Sequence, residues 1–186
     1  MAIHQRMACI ITAALLAAVV VGGCSGEYRA YKGKPKAFST HPYRVLYPAA
    51  FSASEPPQAS AEMLPLSMFV EEVPISPNQP KAVGMIVVRA HRMREQETPK
   101  AFMERYYDDL APRFLEIEMV RVAERGDEQE WTVTVEDSYL GTRVLLLPRE
   151  RLAYDVVTLC ASSDRERFKE QFARARDSFR LLRARR

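Results

Sequence analysis

An uncharged apolar run near the N-terminus is the feature that most limits what this chain can fold into. Arg6 is the only full charge before the run, which extends from residue 7 to residue 21. A short basic region followed by an apolar one is the order of a secretory signal peptide. A membrane-spanning helix needs about 20 apolar residues, and two glycines end this run before that length. We therefore predict a cleaved signal over residues 1–23 and an exported domain after it.

The run ends in Val21-Gly22-Gly23-Cys24, which resembles the lipobox of bacterial lipoproteins: an aliphatic residue, two small residues and a cysteine. The resemblance implies cleavage between Gly23 and Cys24, a diacylglyceryl group on the Cys24 thiol and acylation of the new amino terminus. Two or more acyl chains hold a protein stably to a membrane, at about 0.8 kcal/mol per buried methylene. We expect a lipid-anchored protein of the cell envelope, facing the periplasm or on the outer-membrane side. The alternative is an ordinary signal peptide followed by a chance cysteine.

Loss of the signal leaves 163 of the 186 residues, which is the size of one domain, and lowers the formal net charge from +3 to +2. A charge this close to zero predicts no nucleic-acid partner. Cys9 leaves with the signal and Cys24 carries lipid, so Cys160 has no cysteine to pair with. Because Cys160 lies in an apolar run with no adjacent cation, we predict a buried structural thiol.

The composition divides the exported chain into a tether, a domain and a tail. Cys24 and the polar residues after it, which include glycines, a proline and three lysines, predict a flexible tether over 24–37. A single α+β domain is predicted over 38–183, with a basic tail at 184–186. Its predicted strands are 43–47, 66–70, 83–90, 116–125, 129–139, 142–148 and 152–161. Prolines predict an extended loop over 74–81. The nearly uninterrupted apolar run 83–90 predicts a strand buried on both faces.

Two helices are predicted. Thr98-Pro99 is a helix start, and the aromatic residues Phe102 and Tyr106 repeat at the four-residue spacing of a core-facing stripe. Residues 163–166 read as a capping box that opens the last helix, in which an apolar stripe lies beside a stripe of arginines. We interpret that helix as core-packed, with its arginines paired to nearby acids. A contact of the stripe with anionic lipid or an acidic partner is the alternative.

The sequence carries no local motif for chemistry. His41 and His91 are the only histidines after the signal, and no cysteine pair accompanies them, so no metal site is predicted. There is no GxSxG, P-loop or GxGxxG pattern. The pairs Asp108-Asp109 and Glu71-Glu72 are chain neighbours whose side chains point in different directions. We therefore expect no catalytic residues, no metal and no cofactor, and a protein that is not an enzyme.

The order of these elements resembles the PsbP-like family, which includes many bacterial lipoproteins of the DcrB-like kind. The resemblance covers about residues 38–183 and rests on the segments YRVLYP, TPKAF, LAYDVVTLCASS and DSFRLL. It implies an α+β fold, an αβα sandwich whose mainly antiparallel sheet has helices on both faces. It also implies docking onto larger assemblies and carries over no active site.

Two functions follow as hypotheses. The first is a membrane-anchored, non-enzymatic protein-binding accessory or assembly module with an envelope protein as partner. Its candidate surfaces are the segments 51–65 and 74–81 and the run from Arg89 to Arg94. The alternative is a carrier or sensor of a small apolar ligand or lipid, which requires a sizeable enclosed apolar pocket between a helix and the sheet.

Overall fold

The computed structural model describes residues 28–56, 58–76, 79–110, 117–135 and 140–182. The predicted signal, its cleavage site between Gly23 and Cys24, and the basic tail lie outside the described residues. The strands are β1 Tyr28–Gly33, β2 Tyr43–Pro48, β3 Ser52–Ser54, β4 Met63–Ser76, β5 Gln79–Arg92, β6 Ile117–Arg125, β7 Glu128–Val135, β8 Leu140–Leu147, β9 Leu152–Cys160 and β10 Arg180–Leu181. The α-helices are α1 Pro99–Leu110 and α2 Arg165–Ser178.

The strands form two antiparallel sheets. The larger has seven strands in the order β3-β4-β5-β9-β8-β7-β6, and the smaller has three in the order β1-β2-β10. The apolar run 83–90 lies in β5, between β4 and β9, so its predicted interior position is confirmed. The prolines of the predicted loop 74–81 do not end the strands, because Pro74 and Pro80 pair with each other inside the β4–β5 hairpin. The register of this hairpin shifts between Pro74 and Ser76.

The larger core lies between the seven-stranded sheet and a layer made jointly by α2 and the three-stranded sheet. Phe168 and Phe172 of α2 are stacked with ring centroids 5.1 Å apart, and Phe51 meets Phe168 edge-on at 5.8 Å. From the small sheet, Tyr43 and Val45 are buried in the same cluster. Aromatic residues dominate this core because each ring removes a large apolar area from water.

Helix α1 buries a smaller cluster against the other half of the sheet. It begins as predicted at Pro99, and the hydroxyl oxygen of the preceding Thr98 accepts a hydrogen bond from Ala101 N at 3.2 Å. The aromatic stripe contributes Phe102 and Tyr106, which lie with Met103 in a cluster that also includes Val133, Val144, Leu146 and Ala153. The sequence also predicts that Pro112 ends or kinks this helix, and Pro112 lies outside the described residues.

The predicted αβα sandwich, with helices on both faces, is wrong. Most described residues are in strands, and only two α-helices occur among them. Over one face, α2 shares the cover with the three-stranded sheet, and the 12-residue α1 is too short to make a layer over the other. The sequence showed strands that are apolar on both faces. That pattern reports burial and not whether a helix or a second sheet supplies the cover.

Two local predictions also differ from the structure. The segment predicted as a flexible tether contains β1, whose six residues pair with β2 from Tyr28↔Pro48 to Gly33↔Tyr43. The predicted capping box is wrong: α2 begins at Arg165 after Asp164, and no side chain caps it. Cys160 is a free, buried cysteine as predicted, and burial raises the pKa of its thiol. Among the described residues, no helix is long and apolar enough to cross a membrane.

Candidate functional site

A fully buried carboxylate lies in the middle of the seven-stranded sheet. Asp155 belongs to β9 and stands opposite Arg89 of β5 in the strand register. Arg89 Nε donates hydrogen bonds to Asp155 Oδ1 at 2.9 Å and to Oδ2 at 3.1 Å, and Nη2 also donates to Oδ2. A bidentate arginine satisfies both carboxylate oxygens, which is the arrangement a buried charge needs.

Tyr106 connects this ion pair to helix α1. Its hydroxyl group donates to Asp155 Oδ2 at 2.7 Å and accepts from Arg89 Nη2 at 3.1 Å. The same hydroxyl lies 3.3 Å from Thr142 Oγ1 of β8. One side chain of α1 is thereby hydrogen-bonded to three strands. The network holds the helix at a defined position over β5, β8 and β9.

His91 is the fourth group at this carboxylate. It lies two residues after Arg89 on the same face of β5, and its Nε2 is 3.2 Å from Asp155 Oδ2. The ring packs edge-on against Phe102 and Tyr106, at centroid distances of 6.0 and 5.9 Å. His91 Nε2 is buried and makes no directed hydrogen bond within the described residues. The imidazole therefore lies beside the carboxylate but adds no hydrogen bond to the network.

The ion pair is fixed in its charged form. Burial alone would raise the pKa of Asp155, but the charge of Arg89 outweighs it and holds the pKa well below its usual range. Burial alone would lower the pKa of Arg89, and the carboxylate raises it instead. Burial and the neighbouring charge of Asp155 both raise the pKa of Tyr106. All three shifts move the pKa values further from neutral pH.

An open cleft of about 390 Å³ lies above the network, between α1 and the start of β4. Its rim charges are paired: Arg105 Nε lies 2.9 Å from Glu97 Oε1, and Arg105 Nη1 lies 3.5 Å from Glu62. Burial alone would raise the pKa of Glu97, but hydrogen bonds from Arg105 and from Arg94 N outweigh it and lower the pKa. Arg105 and Glu62 in the lining of the cleft therefore have partners, and Asp109 adds a further negative charge to the lining.

The outer strand of the seven-stranded sheet is a second feature. Among the described residues, β6 pairs only with β7, so its other edge has no strand beside it. Val120 and Val122 on this strand are 45% and 54% exposed. The pairing with β7 shifts register between Arg121 and Ala123, which leaves Val122 as a bulged residue. Exposed valines on an unpaired edge are typical of surfaces that contact another chain.

The structure distributes the candidate surfaces of the sequence differently. The segment 51–65 contains β3 and the start of β4, and 74–81 lies in the β4–β5 hairpin. In the run from Arg89 to Arg94, Arg89 faces the buried network, whereas the guanidinium of Arg92 lies 4.6 Å from the ring centre of Phe38. Of the predicted basic stripe, Lys169 pairs with Glu166, as interpreted. Arg176 instead donates to Thr158 Oγ1, and Arg180 donates to the backbone carbonyl oxygens of Asp177 and Phe179.

The two histidines lie at different sites. His41 Nε2 is 2.6 Å from Glu150 Oε2, whereas His91 faces Asp155. Sequence analysis missed the network of Arg89, Tyr106 and Asp155. The available signal was an aspartate inside the apolar run LAYDVVTLC, because a charge in a strand buried on both faces requires a buried partner.

Comparison with known proteins gives a likeness of fold. No protein-family model matches the chain, and no curated protein sequence matches it. LpqN of Mycobacterium tuberculosis is similar in structure, with a TM-score of 0.53 and 10% identity, over 84% of this chain and 92% of LpqN. The cyanobacterial PsbP protein CyanoP of Synechocystis sp. PCC 6803 has a TM-score of 0.49 and 14% identity, over 87% of this chain and 96% of CyanoP.

At these identities the likeness concerns the fold alone. Acylation of Cys24 stays a prediction.

Proposed function

We propose that the protein is a membrane-anchored envelope lipoprotein that acts as a non-enzymatic protein-binding accessory or assembly module. Acyl chains on Cys24 hold it to the membrane, and its partner is another envelope protein. The lipobox-like segment supports the anchor. LpqN, whose fold is similar, is involved in cell envelope biogenesis, which supports a location in the cell envelope for this chain.

The observation that carries the binding role is the exposed edge of β6. Backbone N–H and C=O groups along an unpaired edge can hydrogen-bond to an extended segment of a partner protein, which adds as a further strand. Val120 and Val122 supply apolar contacts beside that edge. The bulge at Val122 restricts which strands can pair there, because bulges and charges protect sheet edges against indiscriminate association. The partner surface is therefore selective.

The buried network supports a non-enzymatic role. A general acid or base works best when its pKa lies near the operating pH. The pKa values of Asp155, Arg89 and Tyr106 are all displaced away from neutrality, and the groups are hydrogen-bonded to one another. The network is suited to holding α1 in place.

The carrier hypothesis has less support. It requires an enclosed apolar cavity, whereas three clefts in the described part of the chain, of about 140, 390 and 340 Å³, are open and contain charged residues in their linings. The proposal therefore rests on the edge of β6.

Affinity purification of the acylated, C-terminally tagged protein from cross-linked membranes tests this proposal. The test variant carries Val120→Asp and Val122→Asp, which place charges beside the β6 edge. The matched control is Ser54→Asp on β3, an exposed residue at the opposite edge of the same sheet. A Cys24→Ser variant tests the contribution of the anchor.

We expect one envelope protein to be recovered in a fixed ratio, to be lost with the double variant and to be retained with Ser54→Asp. Retention in both variants would exclude the β6 edge as the binding surface. Recovery of the protein without a stoichiometric partner would contradict the accessory role itself.

A further inference from the structure

Three basic side chains lie side by side across the three-stranded sheet. In the strand register Lys32 of β1 stands opposite Arg44 of β2, and Arg44 stands opposite Arg180 of β10. All three residues are exposed. Adjacent strands lie about 4.8 Å apart, so this basic row spans about 10 Å. Like charges directly opposite each other destabilise a sheet, so the basic row lowers the stability of the fold.

No acidic side chain pairs with the basic row within the described residues. Lys32 and Arg44 form no ion pair there, and Arg180 Nη1 donates only to backbone carbonyl oxygens. The segment from Tyr28 to Ser54, which supplies β1 and β2, contains five basic residues and no acidic one. The positive charge of the row is therefore available to attract a counter-charge from another molecule.

The basic row lies on the side of the small sheet that faces away from the core. Side chains alternate along a strand, and Tyr43 and Val45, the chain neighbours of Arg44, are buried in the larger core. Arg44 therefore points outward, as do the two residues opposite it. Next to the row on this outward face lies the pair Ala30↔Leu46, which adds a small apolar surface.

Tyr28 and Arg174 complete the outward face. Tyr28 lies two residues before Ala30 and so on the same face, and the guanidinium of Arg174 of α2 lies 4.2 Å from its ring centre. Tyrosine and arginine are both suited to a membrane interface, because each has an apolar body and a polar tip. Two exposed carboxylates, Glu170 and Asp177, lie one turn of α2 from Arg174. The excess of positive charge therefore belongs to the sheet and not to the helix.

The predicted lipid anchor holds this face close to a membrane. Cys24 is followed by only three residues before Tyr28, the first residue of β1. An extended chain spans at most about 3.6 Å per residue, so Cys24 lies within about 14 Å of Tyr28. A folded domain of about 100 residues has a radius of gyration of about 13 Å, so it does not fit into a gap of this width. The headgroups of the bilayer are therefore the nearest source of negative charge.

Electrostatic attraction favours one orientation of β1 on the bilayer. Anionic headgroups attract lysine and arginine near the surface, and the attraction falls off within a Debye length, about 8 Å at physiological ionic strength. Lys32 lies four residues after Tyr28, which is about 13 Å of strand. The basic row therefore reaches the headgroups when the outward face lies along the bilayer, and loses most of the attraction when β1 stands upright on it.

We propose that the outward face of the three-stranded sheet binds the anionic headgroups of the bilayer that carries the acyl chains. The seven-stranded sheet and α1 then lie on the side away from the membrane. This contact rests on the proposed acylation of Cys24. It goes beyond the proposed function, because it makes the membrane surface a second binding partner.

Quenching of fluorescence in vesicles tests the contact. Ala30→Cys places a thiol on the outward face, and Glu104→Cys places one on α1, across the large sheet; both residues are exposed. Each protein is purified from membranes in full, acylated form, labelled with a fluorophore and placed in vesicles containing a lipid with a nitroxide on its headgroup. Anionic vesicles of phosphatidylethanolamine and phosphatidylglycerol are compared with neutral vesicles of phosphatidylcholine. The parent protein controls for labelling of the buried Cys160, and flotation with the vesicles reports the anchor separately.

Two double variants of the Ala30→Cys protein test the charge. Lys32→Gln with Arg44→Gln removes two charges of the basic row. The matched control, Lys100→Gln with Arg121→Gln, removes the same charge from exposed residues elsewhere. Loss of the row should not lower the temperature of unfolding, because it relieves like charges that stand opposite each other. A weaker contact with lipid is thereby separated from unfolding.

We expect the probe at position 30 to be quenched several-fold more strongly than the probe at 104 in anionic vesicles. The quenching at position 30 should fall by about two-fold or more in neutral vesicles, in about 1 M salt and with Lys32→Gln and Arg44→Gln, because each change removes the attraction. The matched control should leave it unchanged.

Equal quenching of the probe at position 30 in anionic and neutral vesicles, in protein that floats, would overturn the lipid contact and leave the anchor intact. Quenching that survives Lys32→Gln with Arg44→Gln would overturn it as well. If this variant instead loses an envelope protein from cross-linked membranes, the basic row binds an acidic protein. Protein that does not float would overturn the anchor, and the lipid contact with it.

Discussion

The two faces of the seven-stranded sheet are covered by different physical means. On one face, α2 and the three-stranded sheet enclose a large aromatic core, with Phe168 and Tyr154 fully buried. On the other, α1 brings a smaller cluster whose centre is an ion pair, Arg89 with Asp155, hydrogen-bonded to Tyr106. Apolar contact is not directional, whereas hydrogen bonds fix both distance and angle.

The difference indicates how each helix acquires its position. Helix α2 gains enough apolar contact to be held by packing. Its Arg167 pairs with Glu71, whereas its partly buried Arg176 donates to Thr158 Oγ1. Helix α1 has three buried residues, as α2 does, but one of them is Tyr106, whose hydroxyl group specifies where the helix sits. Buried ion pairs contribute little net stability compared with apolar residues of the same size, but breaking one is costly. We therefore expect the two faces to respond differently to substitution.

The largest effect is expected on the packed face. Phe168→Ala removes a fully buried ring that contacts Phe51 and Phe172, and should lower the free energy of unfolding by about 4 kcal/mol. Urea unfolding followed by circular dichroism measures it. A loss below about 1 kcal/mol would mean that the aromatic core is not what holds α2.

On the other face, Asp155→Asn should cost about 3 kcal/mol, because Arg89 keeps its charge and loses its counter-ion. Asp108→Asn on the exposed side of α1 is the matched control and should change stability by less than about 0.5 kcal/mol.

The double variant Arg89→Met with Asp155→Leu tests whether charge or packing is responsible. It should be more stable than Asp155→Asn alone, because it leaves no unpaired charge. If the double variant is the less stable of the two, the hydrogen bonds of the ion pair stabilise the fold beyond the neutralisation of a buried charge.

Acid should remove the contribution of Asp155. Its pKa is lower in the folded protein than in the unfolded chain, so its stabilisation is present above the ordinary carboxyl pKa of about 3.9. It is lost as the pH falls through that value towards the lowered pKa. The difference in free energy of unfolding between wild type and Asp155→Asn should therefore be largest at neutral pH and shrink below about pH 4. A difference independent of pH would contradict an ionised Asp155.

A smaller effect is expected when the helix alone is released from the network. Tyr106→Phe removes the hydroxyl that donates to Asp155 and should cost about 2 kcal/mol, as for a hydrogen bond to a charged group. Hydrogen exchange should increase in α1 before it increases in α2. Equal increases in both helices would show that the two faces are not independent.

The smallest effect on stability is expected at the β6 edge. Val120→Asp with Val122→Asp changes side chains that are largely exposed, so the free energy of unfolding should change by less than about 1 kcal/mol. Thermal unfolding measures this. A larger loss would mean that these valines contribute to folding, and their effect on partner binding would need a different test.

Local patterns in the sequence determined which segments form strands and helices. The apolar run in β5 required a buried strand, and Thr98-Pro99 with the aromatic stripe required a helix that buries Phe102 and Tyr106. These features depend on residues close together in the chain, so their periodicity is visible without a structure. The capping box failed because a matching pattern does not ensure the hydrogen bond.

Tertiary structure alone decided what covers the sheet and which charges meet. Arg89 and Tyr106 are 17 positions apart in the sequence, Tyr106 and Asp155 are 49 apart, and Arg89 and Asp155 are 66 apart. Only strand register and helix placement bring the three side chains together. Likewise β1 lies in a segment whose composition is that of a tether, because its strand forms by pairing with β2 rather than from its own preferences. Local preference is read from neighbouring residues, whereas pairing and burial depend on contacts between segments that are distant in the sequence.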